Sequence, residues 1–119
     1  MSRLLQASVL SAALLCAALA NAHPTLMSSV PKAGQTVDSP PKELLLRFNE
    51  PIEPAFTHVK LAGPGLPEAK ASPTEAVKDD ANAVAVTLPA LSAGVYKARW
   101  SAMGRDGHRI KGEFSFTVK

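Results

Sequence analysis

Residues 20 to 24, Ala-Asn-Ala-His-Pro, hold the most distinctive chemistry in this chain. Cleavage after Ala22 would make His23 the first residue of the mature protein. A free N-terminal histidine is a chelator, because its α-amine and its ring Nδ1 can close a six-membered ring on one metal ion. An internal histidine cannot do this, since its backbone nitrogen is an amide. Pro24 limits the chelate to those two atoms, because proline has no N–H to give up. It also biases His23 towards extended backbone. Any further ligands must therefore come from elsewhere in the fold.

Two other histidines are available, His58 and His108. His108 lies two residues after Asp106 in the segment Arg105-Asp-Gly-His-Arg109. Residues i and i+2 of extended backbone point the same way, so a carboxylate and an imidazole can converge on one ion there. His58 falls between core positions of a strand and reads as a solvent-facing side chain. The sole cysteine, Cys16, lies before the expected cut, which excludes thiolate sites and disulfides from the mature chain.

The elements that must position these residues are strands. Leu44, Leu46 and Phe48 alternate with Arg47 and Asn49 over residues 43–50. Val59 and Leu61 mark a strand over 56–62, Val84, Val86 and Leu88 another over 83–88. Tyr96, Ala98, Trp100 and Ala102 share a face over 95–103, as do Phe114, Phe116 and Val118 over 112–119. A first strand is expected over 23–30. Residues 68–82 are polar and leave room for one short edge strand. No stretch of the mature chain carries helical periodicity, and Gly/Pro turns separate the segments. This predicts an all-β Greek-key barrel or sandwich of about seven strands, with a cupredoxin-like or immunoglobulin-like outline.

The first 22 residues have the make-up of a cleaved secretory signal: Arg3, an Ala/Leu/Val run from Leu4 to Leu19, then the small-x-small sequence Ala20-Asn-Ala22. The run is shorter than the about 20 apolar residues that span a membrane. The expected organisation is a signal over 1–22 and one β-domain over 23–119, placed in the periplasm with no membrane insertion after processing. The formal charge of +3 on 119 residues is too small, and the cations too scattered, to indicate nucleic acid.

The sequences His23-Pro-Thr-Leu-Met-Ser-Ser-Val-Pro-Lys-Ala-Gly34, Leu46-Arg-Phe-Asn-Glu50, Ala93-Gly-Val-Tyr-Lys-Ala-Arg-Trp100 and Asp106-Gly-His108 resemble the CopC family of periplasmic copper-resistance proteins. The resemblance runs the length of the mature chain. It implies a Greek-key β-barrel with one Cu(II) bound by the His23 amine and Nδ1, a ring nitrogen of His108 and the Asp106 carboxylate. Glu50 stands where some members carry a glutamate near the copper, and is expected to be an outer ligand or hydrogen-bond partner. Some members hold Cu(I) in a Met-rich loop. The equivalent stretch here, 61–70, has no methionine, and thioethers are the soft ligands Cu(I) prefers. A Cu(II)-only member is expected, with Met27 and Met103 as space-filling residues.

Three nitrogens and a carboxylate oxygen suit tetragonal Cu(II), the tightest-bound ion of the divalent series. The expected role is to sequester or carry copper, with no reaction. The resemblance implies delivery to a CopD-type inner-membrane transporter, and a monomer is the expected state. Two other readings compete. A lytic polysaccharide monooxygenase also uses an N-terminal histidine, but it needs open coordination positions and a flat aromatic surface. Asp106 would fill one position here, and Tyr96, Trp100, Phe114 and Phe116 fall on core parity. A metal-free sandwich serving as an interaction module would bind no stoichiometric copper.

Overall fold

A computed structural model describes residues 24–66 and 71–119. The expected signal over 1–22, His23 and residues 67–70 lie outside the described residues. Nine strands are formed among the described residues: β1 (Leu26–Val30), β2 (Thr36–Val37), β3 (Glu43–Phe48), β4 (His58–Ala62), β5 (Ala71–Pro73), β6 (Glu75–Val77), β7 (Asp80–Thr87), β8 (Gly94–Met103) and β9 (Arg109–Val118). They make a four-stranded sheet in the order β1-β3-β7-β6 and a five-stranded sheet in the order β2-β9-β8-β4-β5. All pairs are antiparallel except β2 with β9.

The alternation seen in the sequence is what closes the two sheets on each other. Leu44, Leu46 and Phe48 of β3 meet Tyr96, Ala98, Trp100 and Ala102 of β8 and Phe114, Phe116 and Val118 of β9, all buried. Each large apolar side chain removed from water here contributes about 1.5–3 kcal/mol. Phe48 sets its ring edge against Trp100 at 5.3 Å, and Tyr96 stacks on Phe116 at 5.6 Å. The buried Tyr96 hydroxyl is satisfied locally, donating to the Ser92 carbonyl at 2.7 Å.

The departures from the expected strands are local. Residues 71–87 form three strands rather than one or two. A turn at Lys78-Asp79, with Asp79 in left-handed backbone (φ 62), joins β6 to β7 and gives the four-stranded sheet its outer edge. The strand expected from Phe56 starts instead at His58, because Pro54 opens a 3₁₀ turn over Pro54–Phe56. Phe56 is left exposed. Met27 is 64% exposed rather than packed, so it does not fill space as expected.

The 3₁₀ turn is fastened to the end of β8. The buried Thr57 hydroxyl donates to the Glu53 carbonyl at 2.9 Å and accepts the Met103 N–H at 3.2 Å. Thr74 ties the same turn from the other side by donating to the Pro54 carbonyl. The segment leaving β3 is thus held against the loop that joins β8 to β9.

Candidate metal centre

The β8–β9 loop carries Asp106 and His108. It closes on itself through Gly104 N–H to the His108 carbonyl and Gly107 N–H to the Gly104 carbonyl, both 3.0 Å. Gly107 takes φ +87, a left-handed turn that favours glycine. Inside the loop Asp106 uses both carboxylate oxygens on one residue. Oδ1 accepts the His108 backbone N–H at 3.0 Å, and Oδ2 lies 2.9 Å from His108 Nδ1. With Nδ1 protonated and turned to the carboxylate, Nε2 is the ring nitrogen that carries the lone pair. This is the arrangement by which carboxylates orient metal-binding imidazoles.

The electrostatics stem from that contact. The hydrogen bond to the His108 ring, followed by that to its backbone N–H, lowers the Asp106 pKa below the usual carboxylate value. The same hydrogen bond and the Asp106 charge raise His108, with a further push from Glu50. A depressed carboxylate stabilises the fold above its ordinary pKa, and a raised imidazole stabilises it below its own. The pair therefore braces the apo loop best between the two, and loses its effect as pH falls through the Asp106 value or rises through that of His108. Replacement Asp106→Asn removes the charge that raises the imidazole. In that variant His108 is expected to titrate at a lower pH than in the wild type, read from its ring proton shifts by NMR.

The segment after β3 frames the loop. Gly104 bridges to Ile52, Arg105 N–H reaches the Pro51 carbonyl, and Glu53 N–H donates to the Met103 carbonyl at 2.8 Å. Glu50, at the head of this segment, is half-buried. Its charge is felt at His108, but it does not join Asp106 and His108 in a cluster. Among the described residues no group of three His, Cys, Asp or Glu is placed to hold a metal. The described donors thus form a pair with an outlying carboxylate.

The start of the described chain arrives at this same place. Asn49 grips Thr25 at two points: its side-chain oxygen accepts the Thr25 N–H at 2.6 Å, and its own N–H donates to the Thr25 carbonyl at 3.0 Å. Pro24 is buried. A Cβ placed on Gly104 would lie 2.9 Å from Asp106 Oδ1 and 3.0 Å from Pro24 Cγ, so proline ring, glycine and carboxylate crowd one spot. His23 itself lies outside the described residues, but it is bonded to a proline that abuts the Asp106 loop. Asn49 was not singled out by sequence reasoning. Its alternation showed an outward side chain, and only the β1–β3 pairing reveals what it holds.

His58 is half-buried on the outward face of β4, opposite Ser101. Met103, at the end of β8, is also half-buried.

A family model described as the CopC domain matches residues 26–119. The chain is similar to the copper resistance protein C of Pseudomonas syringae pv. tomato, with 36% identity over 119 residues covering 94% of this chain and 93% of that one. Among solved structures, CopC from Methylosinus trichosporium OB3b superposes with a TM-score of 0.73 at 26% identity, covering 82% of this chain and 94% of that one. PcoC, a methionine-rich copper resistance protein from Escherichia coli, gives 0.67 at 33% identity, covering 82% of this chain and all (100%) of that one.

Proposed function

The chain belongs to the CopC family, whose general role is copper binding, and from that premise we propose that it is a periplasmic Cu(II) carrier with one site. The proposed ligands are the His23 amine and Nδ1 and a ring nitrogen of His108, with Asp106 binding the ion or orienting the His108 ring. Glu50 acts from outside this set, as a charge that favours a cation. The observation that carries the reading is the convergence of three segments. Pro24, next in the chain to His23, packs at Gly104 beside Asp106, while Asn49 clamps Thr25. A two-residue shift in that register would carry the N-terminus about 7 Å away.

The stretch 61–70 lacks methionine, which supports a Cu(II)-only member. No reaction enters this reading; the protein holds the ion as cargo and releases it. Delivery to a CopD-type membrane transporter is the role the family resemblance suggests. The decisive measurement is a copper titration of protein that begins at His23. A d–d absorption band saturating at one equivalent, with nitrogen hyperfine structure in the EPR spectrum, is the expected result. No stoichiometric band would leave a metal-free interaction module.

Binding must displace protons from an amine with pKa about 7.7–8.0 and from imidazoles ordinarily near about 6.5. His108 is held above that value by Asp106, so its protonated form competes with copper from a higher pH. Affinity is therefore expected to fall steeply from about pH 8 to about pH 5.5. The single tryptophan offers the readout, since Trp100 packs on Phe48, the residue before Asn49, and bound Cu(II) quenches a neighbouring indole. A quenching midpoint that does not move across this range would remove the amine and His108 from the ligand set.

A further inference from the structure

The outward face of the five-stranded sheet gathers cations that are far apart in the sequence. Lys60 of β4, Lys97 and Arg99 of β8, and Arg109 and Lys111 of β9 all point to solvent there, against one acidic residue, Glu113. The excess on this face exceeds the formal +3 of the whole chain, so the remaining surface is on balance negative. Lys60 stands directly opposite Arg99 across the β4–β8 ladder, a like-charge pairing that costs stability. Glu113 is shared by Arg99 at 3.2 Å and Lys97 at 3.9 Å. Arg109 donates from Nη1 to a neutral partner, the Ser101 hydroxyl, at 2.7 Å. Lys60, Arg109 and Lys111 have no carboxylate partner among the described residues.

These side chains rim a shallow depression of ≈ 630 Å³ across β4, β8 and β9, floored by Ser101 and Gly112 with His58 at one side. Its shape and chemistry select the ligand. Val95 is exposed on the same face of β8 but outside the depression, and the large apolar side chain in the lining, Trp100, is buried, so no exposed large apolar side chain projects from the trough. The surface is a trough rather than a protruding knob. Arg109 and Lys111 are two residues apart on one strand, about 6.5–7 Å, which is also the repeat of same-side carboxylates on an extended peptide. Lys60 and Lys111 flank β8 on either side, so the trough presents charge along both walls.

We infer that this face is a docking surface for an extended acidic segment of a partner protein, lying along β8 between the walls made by β4 and β9. β9 begins at Arg109, directly after His108, so the docked segment ends beside the β8–β9 loop. The inference needs no metal and stands whether or not the copper reading does. The test is ¹⁵N–¹H NMR of the metal-free protein, in chelator, with a short synthetic peptide of alternating Glu and Ser. Shift changes are expected at Lys60, Arg99, Ser101 and Lys111, weakening with salt. Double reversal Lys60→Glu/Lys111→Glu is expected to cut the affinity roughly tenfold or more. The same reversal at Lys32 and Lys42, away from this face, is expected to leave it within about twofold. Absence of binding, shifts mapped elsewhere, or equal losses from the two double variants would overturn the inference. So would a silent peptide alongside co-sedimentation with phosphatidylglycerol vesicles that depends on Lys60 and Lys111, which would make the surface a membrane one.

Discussion

A chain that begins at Ala17 instead of His23 is expected to bind Cu(II) at least about a hundredfold more weakly near neutral pH, with an unchanged melting temperature. The six extra residues turn the His23 nitrogen from a primary amine into an amide. Loss of an outer-shell partner alone typically costs metal sites about 10–100-fold, and here a direct ligand and its chelate ring go together. Pro24 offers no neighbouring N–H to replace it. A one-residue extension is a poorer test, because Ala-His would supply a new chelate through its amine, the His23 amide and the ring. The fold is indifferent to the change, since its first fixed points are Pro24 against Gly104 and Thr25 against Asn49. Isothermal titration with both forms checks this. Equal affinities would mean that copper, if bound, is held without the α-amine.

Much of the fold was legible in the residues alone. The inward faces of β3, β8 and β9 come from strict alternation, because a side chain on a two-sheet sandwich has only two directions to take. The Asp106–His108 pair was visible because its chemistry is carried by neighbours in sequence, and the loop geometry brings carboxylate and ring to 2.9 Å. What could not be read depends on register between distant strands. Asn49 and Thr25 are 24 residues apart, and no local pattern marks one as the partner of the other. The basic face is the same case: Lys60 and Lys111 each look like an ordinary solvated lysine until the β4–β8 and β8–β9 ladders set them on one surface. The short strands β5 and β6 were hidden for a different reason. Each has three residues, too few for alternation to register, and pairing rather than propensity holds them.

The second large effect concerns the core beneath the loop, at Gly112. This residue pairs directly with Trp100 across β8 and β9, and the indole lies over the bare glycine. A Cβ there would fall 2.3 Å from Cζ2, 2.6 Å from Cε2 and 3.0 Å from Nε1 of Trp100. No atom can occupy that space unless the ring moves. The ring has little freedom, because it is buried and meets Phe48 edge-on at 5.3 Å. Its Nε1 has no hydrogen-bond partner among the described residues, so packing alone fixes its orientation. Overfilling of this kind costs about 1–3 kcal/mol. For a domain of this size each kcal/mol moves the melting temperature by roughly 4–8 °C. Gly112→Ala is therefore expected to melt well below the wild type and to shift the Trp100 emission, whereas Glu113→Ala next door, which removes only exposed ion pairs, is expected to cost about 1 kcal/mol or less. Pairing Gly112→Ala with Trp100→Phe, a smaller ring, is expected to cost less than the two changes summed, since each acts on the same space. Copper affinity below the melting point is expected to survive Gly112→Ala, because the Asp106–His108 loop is braced by Ile52, Pro51 and Pro24 rather than by the indole. A wild-type melting curve for Gly112→Ala would mean that the ring does not lie on the glycine at all.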